Sequence, residues 1–515
     1  MIQEGNPGGY QAVVTGSTQN IHSGGVANNS LVKNGTETIM DGEISNNATL
    51  VSGIVEEGLV GSTVFLGASQ AILSGGLSNG TNLNGGSSSV SVGGTADATI
   101  LNYLGSQSVS GAATNTVINT GGADYIASGG VTTDTLVDGA APFSYAPNPH
   151  YYFMTDMVAG GLNVQAGGDA NRITVKGGGH IDDSGSVDNA TLSDAGSSLT
   201  VEAGANASFS SVSGGASEIN DGSDFEVQVG QGGTISVMAG GSIQGATIAS
   251  GGSLSVASGG SLTPAMFLAI TDDGLLSNAG GISIGGFHGD GNGYFSVGST
   301  GTLTNSGLLD VKGGTYQSVG ANAIPGAFGV SSGGTVVNTG TIAVELGSRG
   351  TSNLPFPSGS FQVAAGAVLV NAGTLSAAGS VTVEGTLVLD PGQVTTGVVE
   401  GAASGVLELA SGTGTLAGLG TVYDGFRTIQ VDGSSDWTLT GGILKAGTTI
   451  ELGTGSTLSL AGGLGAQVGG TIDFQGASTL AVSLQAQTDA GITGFNTTSV
   501  IHAAGSQAGN TVFAL

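Results

Sequence analysis

The sequence predicts an all-β protein: a parallel β-solenoid (β-helix) drawn out as an elongated rod. Three observations carry this. Short alternating stretches return at a near-constant spacing, glycine punctuates them, and the composition supplies only a narrow core. The 515 residues include 100 Gly, 9 Pro and no Cys. Ordinary glycine usage is about 7%, so glycine is several-fold in excess. There is no Gly-X-Y period and Pro is scarce, which excludes collagen. Only 8% of residues are charged and mean hydropathy is +0.26, whereas disordered chains are polar or highly charged. Val, Leu and Ile recur regularly, but only 5% of residues are aromatic, so the core is thin and repeated.

The repeat unit is read from "VANNSLVKNG" at 26, "EISNNATLVSG" at 43, "LSNGTNLNGG" at 77, "TADATILNYLG" at 95, "AATNTVINTGG" at 112 and "VTTDTLVDG" at 131. The starts are separated by 17, 34, 18, 17 and 19 residues. The spacing of 34 reads as two periods with a degenerate copy near residue 60. Shorter stretches lie between, such as "SQAILSGG", "SSSVSVGG" and "ADYIASGG". One unit is then a strand of about ten residues, a Gly corner, a shorter strand and a second Gly corner, the pattern of a solenoid. A short strand with one apolar face is not stable alone, but parallel stacking about 4.8 Å apart turns inward Val, Leu and Ile into ladders. Glycine takes the left-handed conformation at corners without a Cβ clash, and Asn or Asp there bonds the local backbone. At 18–19 residues per coil the chain would give roughly 25 coils, on the order of 120 Å.

The expected organisation is AIDA-like solenoid repeats over 1–139, a Pro/aromatic insertion over 140–160, and continued repeats over 161–262, including "SIQGATIASGGSLSVASGG". Larger coils with insertions follow over 263–379, where Asn-x-Gly recurs at Asn278, Asn305, Asn338 and Asn371, with "RGTSNLPFPSGSFQ" (349–362) as one insertion. A strongly alternating solenoid covers 380–485, and a strand or tail 486–515.

The Asn-x-Thr-(Val/Ile/Leu)…Ser-Gly-Gly units over about 16–260 resemble the AIDA-type adhesin repeats of bacterial autotransporter passengers. The Asn-x-Gly-Thr-(Leu/Ile) units over about 270–420 resemble the β-strand repeats of filamentous-haemagglutinin-like exoproteins. Both resemblances imply a right-handed solenoid displayed outside a Gram-negative cell, and some AIDA-type relatives carry sugars on exposed Ser or Thr. No C-terminal membrane β-barrel is expected within these residues, so the resemblance does not extend to autotransport. Its layout is also similar to exoproteins in which such repeats precede a self-cleaving Hint domain, which would begin with Cys after Leu515.

Charge narrows the partners. Seven Lys+Arg stand against 36 Asp+Glu, a net charge of −29. Such a chain repels nucleic acid and anionic membranes, which are bound through Lys and Arg, while the charge keeps an apolar-cored protein soluble. The absence of Cys removes disulfides, thiolate metal sites and cysteine nucleophiles. No apolar run reaches the roughly 20 residues that span a bilayer, so no membrane insertion by this chain is expected. "MIQEGNPGGY" lacks a basic region and an apolar region, so export is expected to use another signal or one removed earlier.

Candidate sites lie where the repeat is interrupted. "PFSYAPNPHYYF" (142–153) gathers Phe143, Tyr145, His150, Tyr151, Tyr152 and Phe153 among Pro142, Pro147 and Pro149. Pro is excluded from central strands, so this segment reads as a loop. It either contacts a glycan or another chain through its aromatics or folds back as cover. "GGFHGDGNGYF" (285–295), with Asp290 and Asn292, resembles one calcium-binding glycine nonapeptide at the wrong spacing. Calcium needs six to eight oxygens, so an ordinary turn is the expectation, and no cofactor is assigned. Glu56–Glu57, Asp182–Asp183 and Asp272–Asp273 are paired carboxylates. Neighbours on a strand point to opposite faces, so these pairs are expected at corners rather than flanking a sugar as glycosidase acids do. Basic groups for a lyase are confined to Lys33, Arg172, Lys176, Lys312, Arg349, Arg427 and Lys445, and His22, His150, His180, His288 and His502 are scattered. Asn-x-Ser/Thr at Asn28, Asn34, Asn47, Asn79, Asn189, Asn206 and Asn496 follows from the repeat itself. Neither end carries an amphipathic capping helix. "YQAVVTG" and "NTVFAL" read as strands, so open β-edges are expected to stack head-to-tail into a homo-oligomer or filament.

The function expected from all this is that of an extracellular or bacterial cell-surface structural adhesin, not an enzyme. It would attach cells to each other, to matrix or to glycan receptors. The alternative is a β-helical polysaccharide lyase or glycosidase, and a third reading is a calcium-dependent matrix protein.

Overall fold

Alternation and glycine punctuation produce strands and corners throughout. A computed structural model describes residues 13–16, 18–22, 25–51, 53–55, 64–139, 160–264, 269–285, 293–314, 316–317, 321–322, 325–347, 358–461, 464–466, 470–483 and 490–504. Every regular element among them is a β-strand. The chain divides into two compact units, Met1–Gln244 and Gly245–Leu515. Each is a solenoid of parallel strands stacked turn upon turn.

In the first unit one turn has three faces rather than two strands. Val26–Asn28, Leu31–Lys33 and Thr36–Ile39 make one such turn. The next runs through Ile44–Asn46 and Thr49–Val51 to Ser69–Ile72. The expected ten-residue strand is therefore bent in its middle, and the cause is local. Asn29, Asn47, Asn115 and Asn189 each have φ of 53–55°, the left-handed conformation that Asn tolerates better than most residues. Ala98, Asp134, Arg172, Phe209 and Glu226 occupy the equivalent corner with φ of 54–64°. The Asn of the Asn-x-Thr repeat is thus a corner residue, and the Thr that follows opens the second face.

A second correction concerns residues near 60. Thr36 pairs in register with Ser69, Ile44 with Leu77, and Thr49 with Asn82. No coil intervenes, so the degenerate copy is an insertion. Within it Gly53–Val55 and Val64–Leu66 pair antiparallel to each other. The spacings of 27 and 33 in the second unit are likewise single turns, since Leu275 pairs with Thr302, Thr302 with Thr335 and Thr335 with Val368. The uniform 18–19-residue coil behind the count of roughly 25 does not hold.

Inward residues set the core. On the third face of the first unit Ile21, Ile39, Ile72, Val90, Val109 and Ile126 form one ladder, each buried. Burying such a side chain contributes about 1.5–3 kcal/mol. In the second unit the ladder position beside Leu276, Leu303, Val336 and Leu369 is taken by Asn278, Asn305, Asn338 and Asn371, all fully buried. The side-chain amides of Asn278, Asn305 and Asn338 each donate to the next Asn carbonyl at 2.7–2.8 Å and to a backbone carbonyl at 3.0–3.1 Å, and Asn371 donates to Gln393 Oε1 at 3.4 Å. The Oδ1 of Asn278, at the start of the ladder, accepts from the Gly280 backbone N–H at 3.1 Å. A Cβ at Gly280, Gly307, Gly340 or Gly373 would lie 2.2–2.3 Å from a backbone carbonyl oxygen of the preceding turn, which accounts for the Gly of Asn-x-Gly. Phe295, Phe328 and Phe361 stack beside this ladder with centroids 4.9 and 4.5 Å apart. Further on, Trp437 is fully buried and its Nε1 donates to the Ala410 carbonyl at 2.8 Å. Its ring covers Gly414, where a Cβ would lie 2.6 Å from ring carbons, so only glycine fits below it.

Candidate functional site

The repeat offers two places for chemistry: its outward surfaces and its interior. Outward residues of a strand are every second one. On the third face of the first unit they are Ser69, Ser87 and Ser106 in one column and Ala71, Ser89, Ser108 and Tyr125 in the next. The result is a flat column of hydroxyls, one per rung. Further along, the His180 ring lies over Gly161, whose added Cβ would stand 2.5 Å from its Nε2. In the second unit Thr428, Thr449 and Thr471 form one column, and Glu408, Gln430, Glu451 and Asp473 the next. Burial, reinforced by the charge of Asp432, pushes the Glu408 carboxyl up.

Four of the described basic side chains, Arg172, Lys176, Lys312 and Lys445, are engaged with acids. Arg172 donates to both carboxylate oxygens of Asp134 at 2.6 and 2.7 Å. Lys176 pairs with Asp138 at 2.9 Å, Lys312 with Asp310 and Glu345, and Lys445 with Asp424. Among the described residues no group of three or more His, Asp or Glu is placed to hold a metal ion.

The loop residues Phe143, Tyr145, His150, Tyr151, Tyr152 and Phe153 lie outside the described residues, as do Asp290, Asn292 and Glu56–Glu57. The two remaining carboxylate pairs lie at strand ends against corners, but one acid of each turns inward. Asp183 ends the strand His180–Asp183 and Asp272 ends Ile270–Asp272, and both are fully buried. Each accepts from a backbone N–H two residues on, that of Gly185 at 2.8 Å and that of Gly274 at 3.0 Å. Burial pushes each up to about 7 against those bonds.

These acids belong to a larger set inside the solenoid. Gln19, Glu37, Gln70, Ser88, Gln107 and Asp124 follow one another along the inward ladder of the third face. Gln70 donates to Glu37 at 2.7 Å and Ser45 adds a bond at 3.2 Å, yet burial dominates and raises the Glu37 carboxyl. Asp124 is fully buried, neither carboxylate oxygen has a hydrogen-bond partner, and burial pushes it up to about 7. Glu218 and Asp224 are buried together in a later turn. In "TETI" and "ADYI" these acids sit at the same alternation parity as Ile39 and Ile126, whereas in "SEIN" Glu218 and Asn220 turn inward and Ile219 faces out. In the first two that parity was the available signal.

No family model and no curated protein matches the chain. Among solved structures it is similar to one described as "Crystal structure of TibC-catalyzed hyper-glycosylated TibA55-350 fragment". The identity is 21%, over 75% of this chain and 100% of that one, with a TM-score of 0.34.

Proposed function

We propose that the chain is a structural adhesin, extracellular or at the bacterial cell surface, that attaches cells to one another or to matrix glycans and works without catalysis. The observation that carries this is the outward third face, where Ser69, Ser87 and Ser106 and, beside them, Ser89 and Ser108 repeat the same hydrogen-bonding group rung after rung. Many weak, evenly spaced contacts give avidity without any single strong site. The acids with raised proton affinity, Asp124, Asp183 and Asp272, are shut in the core, away from any substrate. End-to-end self-association into filaments belongs to the same proposal, and the net charge of −29 argues against nucleic-acid partners.

The test is adhesion. Beads coated with the purified chain should collect bacterial cells or matrix, and replacing Ser87, Ser89, Ser106 and Ser108 by Lys should reduce this without lowering the melting temperature. Beads that bind no more than those coated with an unrelated acidic protein would overturn the proposal. Reproducible cleavage of a polysaccharide would favour the lyase or glycosidase reading instead. A large fall in melting temperature with EDTA would favour a calcium-dependent matrix role. Negative-stain images at high concentration test the filament.

A further inference from the structure

Glu218 lies on the third-face strand Ser217–Asn220, and Asp224 on the strand Ser223–Val229 that follows across the corner. Both side chains point inward and are 1% and 2% exposed. The two carboxyl groups meet inside the core with the buried Ser210 hydroxyl beside them. None of their four oxygens has a hydrogen-bond partner in good geometry, although the Ser210 hydroxyl and, for Asp224, the Phe225 backbone N–H lie close enough to favour the ionised forms. In register, Leu199 and Ile235 flank Glu218 and Ala207 flanks Asp224. The one other carboxyl that bears on the pair is Asp183, on the same wall two turns earlier. Glu202 is exposed, and Asp221 and Glu226 are half-buried at corners. From 198 to 237 the sequence holds no Lys, Arg or His, so no cation of this stretch can compensate the pair.

Two ionised carboxylates in contact without a cation are strongly unfavourable in a dry interior. Protonating one of them converts the contact into an O–H···O bond in which the protonated carboxyl donates to the ionised one. We propose that Glu218 and Asp224 share one proton across this turn and form a proton-operated latch, shut while the proton is held and released when it is lost to solvent.

The sign follows from the environment. Burial first, and then the charge of Asp224, hold Glu218 well above the usual carboxylate range; burial pushes Asp224 up to about 6. A group whose proton affinity is higher in the folded state stabilises the fold fully below its unfolded value, about 4 for a carboxyl. That stability is lost as pH rises through the folded value. The pair titrates as a unit: its first proton leaves near pH 6, the remaining shared proton keeps the latch shut above that, and the latch opens only as pH rises through the higher value of Glu218.

Hydrogen–deuterium exchange of the intact chain at about pH 6.5 and about pH 9, corrected for intrinsic exchange, tests this. Protection over Ser217–Asn220 and Ser223–Val229 should fall by about tenfold or more at the higher pH, on the order expected for one lost buried bond. Asp224→Asn, whose amide donates to Glu218 at any pH, should abolish that fall there while leaving the Asn278–Asn371 ladder unchanged. Equal protection at both pH values, or an undiminished fall in Asp224→Asn, would overturn the latch. Should that variant not fold, Glu218→Gln and infrared spectroscopy decide. The wild-type chain at neutral pH should show a protonated-carboxyl stretch that weakens in Glu218→Gln, and its absence from the wild type overturns the proposal.

Discussion

The two units meet the same difficulty, polar side chains trapped in a thin core, with different emphasis, the second unit adding to its amides one buried acid, Asp272. The second unit uses Asn278, Asn305, Asn338 and Asn371, neutral groups that both donate and accept, so each rung satisfies the next. The first unit uses Glu37, Asp124, Asp183, Glu218 and Asp224, and several of their oxygens have no donor. An ionised carboxylate only accepts, so a stack of acids cannot complete itself as a stack of amides can. The lesson is that the same backbone yields a pH-indifferent interior or a proton-dependent one according to which polar group faces in.

The largest expected effect tests the packing beside the amide ladder. Phe328→Ala removes the middle ring of the aromatic stack and should cost about 3–5 kcal/mol, read as a fall in the denaturant midpoint. Next, Asn338→Ala leaves the amide of Asn305 without its acceptor and the carbonyl of Asn371 without its donor. Each orphaned group costs about 1–3 kcal/mol. A cost that stays the same from acid to alkaline pH would sharpen the comparison, and a pH-dependent one would break it. Asp124→Asn should change sign in its context. Burial holds the native acid protonated up to about pH 7, so the native side chain stabilises most in acid and loses that advantage as pH rises. The variant should therefore be near neutral in acid and stabilising by about 1 kcal/mol in alkaline buffer. The smallest effect concerns the corner. Asn115→Gly should be nearly silent, whereas Asn115→Ala should cost about 1 kcal/mol through its left-handed backbone, with thermal melting as the readout.

The solenoid was legible because alternation and glycine spacing are direct images of strand and corner. The mid-strand corner was less so. Asn29 and Asn47 are compatible with a left-handed turn, but Arg172, Phe209 and Glu226 occupy the same corner and carry no such hint. Spacing alone also misled at residue 60, since an insertion of nearly one period imitates a coil. The buried acids were hidden by chemistry rather than pattern. Asp124 shares the inward parity of Ile126, but a charged residue on an otherwise mixed strand reads as solvated unless parity outweighs polarity; at Glu218 parity itself misleads, because Ile219 is the residue that faces out. The hydroxyl columns of the outer face were implicit in the Ser-rich short stretches, yet which serines align depends on register, which pairing decides.

The insertion between Val51 and Leu66 bears on how such a chain can change. Thr36 and Ser69 meet in register across it, as do Ile39 and Ile72, so the stack closes over the excursion without slipping a rung. Because closure entropy grows only by about 0.6 kcal/mol for each doubling of loop length, this corner is a splice point. A foreign segment of different length and composition could replace residues 52–66 and be carried outward by a scaffold whose register never records the exchange. In a repeat protein, novelty can then accumulate at one corner while the ladder beneath it stays fixed.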